Sequence, residues 1–362
     1  MLNNAQTGFR QGRSTLDQII KLQDTINKYN RAKGFTVGVF LDFEKAYDML
    51  WRPGLMAKVK KLGINGNMFA FIENFICDRT FQVQVGGELS KCAQLENGTP
   101  QGSIISPTLF LIMINDLTVS KPGVELSLFA DDSATYKSGK NLKQLIKDIQ
   151  DSLDSISEWC DTWGLKISMT KSCGVIFTNK TKYKVDVPLQ INGVNLAMEK
   201  KVKFLGMYFD SKLTWVEHVN YIVNKCKSRL NLMRCLTGTE WGSSKKSLLT
   251  VYRALIRSLL DYGSVALDSA VYSAKQKLDT VQCKALRICC GAMTGTALSA
   301  LQGECGEMPL EIRRRKQMLQ YAVKVKSREQ HPAKSMLEDH WVNHYAKFEP
   351  FALKRTFCFK NF

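Results

Sequence analysis

The segment Leu126-Ser127-Leu128-Phe129-Ala130-Asp131-Asp132-Ser133-Ala134-Thr135-Tyr136 reads as a β-hairpin with two adjacent carboxylates at its tip. Alone, an Asp-Asp pair between two strands is an ordinary polar turn. A second acidic position changes its meaning. Upstream, Thr36-Val37-Gly38-Val39-Phe40-Leu41 is an apolar, β-branched run suited to a buried strand, and Asp42 stands at its carboxyl end. If the two segments are neighbours, Asp42, Asp131 and Asp132 converge. Such a cluster repels itself unless hard divalent cations sit between the oxygens, above all Mg²⁺. Two ions about 3.5–4 Å apart clamp the attacking and leaving oxygens of an in-line phosphoryl displacement, the class to which nucleotidyl transfer belongs. Asp48, further along the same segment, reads as structural.

Between the acidic positions lies Asn97-Gly98-Thr99-Pro100-Gln101-Gly102-Ser103-Ile104-Ile105-Ser106-Pro107. Gly98 and Gly102 allow close approach of backbone to a ligand, and Gln101 can donate and accept hydrogen bonds. By itself the stretch is a loop before a helix that Ser106 caps and Pro107 opens. Lys171, after Trp163-Gly164-Leu165, could neutralise or protonate a leaving pyrophosphate, although a lone lysine is ordinarily surface. Phe81–Val85 alternates ahead of a Gly86-Gly87 turn, and Asn192-Gly193 marks a second hairpin followed by an expected strand over Val202–Phe209. Leu142, Leu145, Ile146, Ile149, Leu153, Ile156 and Trp159 form an amphipathic helical stripe. Beyond about residue 212 strand signals fade, and helical stripes run through Val219–Met233, Leu248–Leu259, Leu278–Leu286 and from Pro309 onward.

The chain's 362 residues are 44% hydrophobic and 23% charged, a globular composition that excludes a mainly disordered chain. The net charge of +18 divides as +5 over residues 1–210 and +13 over 211–362. A polyanionic partner is implied, met mostly by Lys225, Lys227, Arg229, Arg234, Lys245, Lys246, Arg253 and Arg257 on the C-terminal helices. No signal peptide is visible, and the most apolar stretch, Ile104–Leu117, is too interrupted to span a bilayer. An intracellular protein without a membrane partner is expected. The eleven cysteines contain no Cys-x-x-Cys pair and read as reduced thiols; His340-x-x-x-His344 near Cys358 is the remaining metal-like spacing.

Taken in order, these segments resemble the reverse-transcriptase domain of non-LTR, LINE-type retrotransposons, particularly jockey-like elements. Gln6-Thr7-Gly8-Phe9-Arg10-Gln11-Gly12-Arg13-Ser14-Thr15 is similar to the family's "QxGFRxGRST" stretch, and Phe40-Leu41-Asp42-Phe43-Glu44-Lys45-Ala46-Tyr47-Asp48 to motif A. Gly98-Thr99-Pro100-Gln101-Gly102-Ser103 with Ser106-Pro107 resembles motif B, and Phe129-Ala130-Asp131-Asp132 motif C in its reverse-transcriptase form. Trp163-Gly164-Leu165 through Lys171 resembles motif D, and Phe204-Leu205-Gly206 motif E. The match is close over residues 6–210.

The resemblance implies an α+β fold: a right-hand polymerase palm, an antiparallel sheet with packed helices, with partial fingers and an all-helical thumb and connector. The expected boundaries are 1–210 for partial fingers and palm, 211–300 for the thumb and 301–362 for a basic connector or tail. It implies an RNA-directed DNA polymerase that extends a DNA primer on an RNA template with deoxynucleoside triphosphates. Asp42, Asp131 and Asp132 would hold two Mg²⁺ ions, with Mn²⁺ as a substitute. Phe43 would add a backbone ligand, and Tyr47 would lie beneath the incoming sugar. Gln101, Gly102 and Arg10 would line the nucleotide site, Lys171 would serve as general acid, and Phe204, Leu205 and Gly206 would grip the primer. A nuclear or cytoplasmic ribonucleoprotein is the implied setting. The family's first finger strands, its endonuclease, any zinc knuckle and a ribonuclease H domain have no counterpart in the sequence, so an internal piece of a larger element protein is expected. The rival readings are an inactive remnant that only binds nucleic acid, a group II intron maturase-like protein and, more distantly, a host-domesticated scaffold.

Overall fold

The computed structural model describes residues 2–184, 187–238, 242–329 and 331–334. The His340, His344 and Cys358 spacing, and nearly all of the expected tail after residue 334, lie outside the described residues. The chain forms two compact units. The first comprises residues up to Gln18, Thr25–Gly206 and Asp210–Lys212; the second comprises Ile19–Asp24, Met207–Phe209 and the described residues from Leu213 onward.

The first unit follows the sequence pattern closely. Helix α1 (Thr15–Arg31) leads into β1 (Phe35–Leu41), in which every residue is buried. Helices α2 (Arg52–Lys61) and α3 (Gly66–Ile76) precede four short strands, β2 (Arg79–Phe81), β3 (Gln84–Val85), β4 (Glu88–Leu89) and β5 (Ala93–Leu95). Then come α4 (Ile105–Met113), β6 (Glu125–Phe129), β7 (Asp132–Gly139), α5 (Leu142–Trp163) and β8 (Cys173–Phe177). The hairpin β9 (Gln190–Ile191) and β10 (Val194–Asn195) is followed by β11 (Met198–Glu199) and β12 (Lys201–Phe204), and then by β13 (Met207–Asp210), most of which belongs to the second unit. Among the described residues a five-stranded sheet runs in the order β11-β8-β1-β7-β6. The fold is α+β.

Strand β1 is central because it is apolar on both faces. Val37, Val39 and Leu41 join the core formed with Leu109, Phe110 and Met113 of α4 and Ile146, Ile149 and Leu153 of α5. Phe40, on the opposite face, meets Phe177 and Phe204 with ring centroids 6.4 and 5.2 Å away. Lys58 ties α2 to the end of α4. Its buried ammonium lies 2.5 Å from both the Met113 carbonyl oxygen and Asp116 Oδ1, and 3.6 Å from the Trp163 ring centroid.

Three local expectations change. The run Phe81–Val85 is not one strand: Phe81 ends β2 and Gln84 begins β3, because Ser90 takes the intervening groups. Its Oγ accepts from the Val83 N–H at 2.9 Å and its N–H donates to the Val83 carbonyl oxygen at 2.9 Å. Helix α4 begins one residue before Ser106, whose hydroxyl donates to the Pro100 carbonyl oxygen at 2.6 Å instead of capping. Pro107 is tolerated in the first turn, where its missing N–H has no intrahelical acceptor. The expected strand Val202–Phe209 turns back on itself, with Leu205 at φ 45° and Gly206 at φ 80° between β12 and β13. The Asn192-Gly193 turn forms as expected, with φ of 50° and 75°.

In the second unit every described element after Leu213 is helical: α6 (Val216–Cys235), α7 (Lys245–Val251) continuing through a wide turn into α8 (Ser258–Asp261), α9 (Tyr272–Cys290), α10 (Leu298–Cys305) and α11 (Leu310–Lys326). Trp215 is fully buried against Phe209, its indole N–H donating to Ser269 Oγ at 3.0 Å. Beside it His218 is buried, its Nδ1 accepting from the Tyr208 N–H at 3.4 Å. Burial lowers its pKa from 6.5 to about 4. The unfolded chain therefore takes up a proton that the folded chain refuses, and stability is lost as pH falls from 6.5 towards 4. Urea unfolding of the helical unit should weaken below pH 6.5 by up to about 1.4 kcal/mol per pH unit. A His218→Asn chain should lack that slope; an equal slope in both chains contradicts the assignment.

Candidate active site

Pairing register places the acidic residues together. Strand β1 is antiparallel to β7, with Leu41 opposite Ser133, so Asp42 follows Leu41 at the end of the sheet where Asp132 precedes Ser133. Strands β6 and β7 pair through Phe129 and Asp132, leaving Ala130 and Asp131 as the tip, with Ala130 in the left-handed region at φ 54°. The three carboxylates share one field. Asp132 has its pKa raised first by desolvation, then by the negative charges of Asp131 and Asp42, with Lys203 opposing them. Asp42 Oδ2 is buried, with the Lys171 ammonium beside it. Among the described residues no three ligand side chains close into a ready-made coordination sphere. The donor set itself suits hard cations: it is oxygen-only and anionic, and the one cation beside Asp42 Oδ2 among the described contacts is the ammonium of an exposed lysine, Lys171.

The loop carrying Lys171 wraps around Asp42. The Asp42 carbonyl oxygen accepts from the Ser168 N–H at 2.8 Å, and the Asp42 N–H donates to the Ser172 hydroxyl at 3.1 Å. Phe43 bridges to Ile167 while its ring lies in the core. Lys171 Nζ is consequently 3.2 Å from Asp42 Oδ2, with the lysine itself 71% exposed. Its place beside the carboxylates follows from the bonds that Ser168, three residues before it, and Ser172, one residue after it, make with the Asp42 backbone.

The turn after Asp42 and the Gly98–Gln101 loop are pressed together. The Thr99 N–H donates to the Tyr47 carbonyl oxygen at 2.9 Å and the Gly98 N–H to that of Leu50 at 2.8 Å. A Cβ on Gly98, at φ 87°, would meet the Asp48 carbonyl oxygen at 2.7 Å, so only glycine fits. Tyr47 stacks on Phe110, centroids 4.8 Å apart, and its phenol has a raised pKa, first through burial and then through Asp131. Gln101 is exposed and donates through Nε2 to Asp48 Oδ1 at 2.8 Å. Asp48 is thereby tied to a candidate site residue, beyond the purely structural part expected for it. Gly102 is exposed, at φ 87° with open space where a Cβ would stand.

Arg10 uses Nη1 on the carbonyl oxygens of Asn3 and Gln6, at 2.9 and 3.0 Å. Phe204 and Leu205 are buried, and with Gly206 they form the β12 turn. Arg52 went unmarked in the sequence. It is buried, and its guanidinium donates to the carbonyl oxygens of Gly98 and Asn97 at 3.0 Å each, and to that of Leu95. Nothing local in the sequence distinguishes it from other lysines and arginines.

The basic helices are also more engaged than their sequence suggested. Arg253 and Arg257 both hold the buried Glu307 carboxylate, and Arg313 holds Asp261 in a two-pronged pair. Lys245 pairs with Glu304. Lys225, Lys227, Arg234 and Lys246 stay exposed.

Comparison with known proteins agrees with this geometry. The family profile "Reverse transcriptase (RNA-dependent DNA polymerase)" matches residues 1–209. The "RNA-directed DNA polymerase from mobile element jockey" of Drosophila melanogaster is 29% identical over 294 residues, covering 79% of this chain and 32% of its own. The "Probable RNA-directed DNA polymerase from transposon BS" of the same organism has the same identity and coverage. The chain thus spans about a third of the length of these curated relatives. A solved apo telomerase from Candida tropicalis aligns over 83% of this chain and 48% of its own at 12% identity, with a TM-score of 0.43, too slight a likeness to argue from. No described helix is long and apolar enough to cross a membrane. With its profile match running through every strand of the sheet that gathers Asp42, Asp131 and Asp132, the chain belongs to the reverse transcriptase family.

Proposed function

We propose that this chain is the polymerase body of a non-LTR retrotransposon reverse transcriptase, extending a primer 3′-hydroxyl along an RNA template with deoxynucleoside triphosphates. The observation that carries the proposal is the β1–β7 register, which brings Asp42 to Asp131 and Asp132 inside the region matching the family. The names of the jockey and BS relatives support the element class. On this reading residues 1–210 form the palm with part of the fingers, 211–300 the thumb and 301–362 a connector or tail.

Asp42, Asp131 and Asp132 would hold two Mg²⁺ ions, or Mn²⁺ in their place. When bound, the ions supply charge compensation at the attacking and leaving oxygens. The protein's part is positioning. Asp42 has a buried oxygen whose described partner is the Lys171 ammonium, and the proton affinity of Asp132, raised first by burial and then by Asp131 and Asp42, falls once positive charge is present. Phe43 would lend its carbonyl oxygen. Tyr47, braced on Phe110, would form the floor under the sugar and exclude a 2′-hydroxyl. Gln101, oriented by Asp48, and Gly102, open above its backbone, would receive the nucleotide together with Arg10. Lys171 would donate a proton towards the departing pyrophosphate, releasing Asp42 Oδ2 as it does so. Phe204, Leu205 and Gly206 would support the primer strand.

Of the eight basic residues expected on the C-terminal helices, Lys225, Lys227, Arg234 and Lys246, with the half-buried Arg229, are those not engaged by the carboxylates described above. Single-stranded RNA affinity should therefore fall with salt at a log–log slope of about −3, near a thousandfold across a tenfold rise in concentration. Fluorescence anisotropy with a labelled RNA measures this. A slope near zero contradicts the basic surface.

A further inference from the structure

Gln6 is a polar side chain only 2% exposed, far in sequence from the carboxylates. Its Oε1 accepts two backbone N–H groups, from Gly8 at 2.7 Å and from Ala130 at 3.1 Å. The flanking backbone runs beside β6: the Thr7 N–H donates to the Leu128 carbonyl oxygen at 2.9 Å, and the Leu128 N–H to that of Ala5 at 3.0 Å. Gly8 lies so close that a Cβ there would stand 2.4 Å from the Ala130 nitrogen. Ala130 is the left-handed residue of the hairpin tip, a conformation that alanine adopts reluctantly and that needs external support. Gln6 Nε2 is buried without a hydrogen bond, so this amide is not retained for satisfying all its own groups. What it supplies is the oxygen shared by two backbone amides.

The geometry points to Gln6 as a positioning residue: its amide oxygen clamps Ala130 to the Gln6–Gly8 segment and so fixes the turn that presents Asp131 and Asp132 beside Asp42. The inference rests on the proposed polymerase reading for its consequence, and on the clamp geometry for its substance. It assigns the N-terminal segment a direct part in shaping the acidic tip.

The test compares the parent chain with Gln6→Leu, which lacks the acceptor, and Gln6→Glu, which keeps it. Hydrogen–deuterium exchange resolved to Ala130 is the first readout. Gln6→Leu should exchange this amide about tenfold faster while Gln6→Glu stays near the parent. The second readout is Mn²⁺ binding followed by electron paramagnetic resonance, where Gln6→Leu should bind about tenfold more weakly. The third is primer extension, where kcat should fall with little change in the KM for nucleotide. Unchanged Ala130 exchange in Gln6→Leu overturns the inference, as does faster exchange in Gln6→Glu, which also decides the matter if Gln6→Leu does not fold. A parent chain that binds Mn²⁺ but extends no primer sinks the polymerase reading alone, leaving the clamp judged on exchange and ion binding. A parent that binds no Mn²⁺ overturns the positioning role along with the metal site.

Discussion

Asp131→Asn should abolish primer extension while leaving RNA affinity nearly unchanged. The two properties reside in different residues. On the proposed reading, metal positioning would depend on the carboxylates at the end of β1 and the β6–β7 tip, whereas phosphate binding would depend on lysines and arginines of the helical unit. Replacing one carboxylate with an amide removes an anionic ligand from a cluster of like charges, whose mutual repulsion adds to burial in raising the pKa of Asp132. Losing several kcal/mol of charge stabilisation, about 4, corresponds to a rate reduction of about a thousandfold. The substitution is nearly isosteric at a half-exposed turn position, so the fold should persist. Side-by-side extension and anisotropy assays check this. Equal extension by mutant and parent contradicts the two-ion assignment, and a matching loss of RNA affinity contradicts the division of labour.

The largest stability effect is expected at Trp215. It is the largest fully buried side chain among the described residues, it contacts Phe209 with ring centroids 5.0 Å apart, and its N–H is satisfied by Ser269. Trp215→Ala removes the ring and leaves a cavity, at a cost of about 3–5 kcal/mol. Against a typical total stability of about 5–15 kcal/mol, that shift is large. Urea denaturation followed by helical circular dichroism should show the loss, and RNA affinity should fall with it. Trp215→Phe keeps most of the packing and loses the hydrogen bond, so it should cost less. A Trp215→Ala chain as stable as the parent would mean that this contact does not hold the helical unit together.

Much of the first unit could be read from the sequence because its signals are local. The apolar run ending in Asp42, the Asp131-Asp132 tip and the Asn192-Gly193 turn each carry their geometry in a few adjacent residues. The helical stripe of Leu142–Trp159 likewise announces α5. What escaped was set by partners distant in the chain. The apolar character of Val202–Phe209 continues through Leu205-Gly206, so the reversal there is concealed until both adopt positive φ. Ser106 has the composition of a helix cap, but Pro100 offers its hydroxyl a better acceptor. Gln6 and Arg52 look ordinary in sequence and gain meaning only when Ala130 and the Leu95–Gly98 carbonyls come within reach. Charge sign was legible, but charge use was not: Arg253 and Arg257 counted towards a nucleic-acid surface until Glu307 was found between them.

RNA-templated synthesis by the purified chain tests the central claim most directly. With a DNA primer annealed to an RNA template and Mg²⁺ present, the chain should add deoxynucleotides complementary to the template, should discriminate against ribonucleotides, and should lose this activity with chelator or with Asp131→Asn. Template-bound protein that adds no complementary deoxynucleotide under those conditions would contradict the account and leave a protein that holds RNA without copying it.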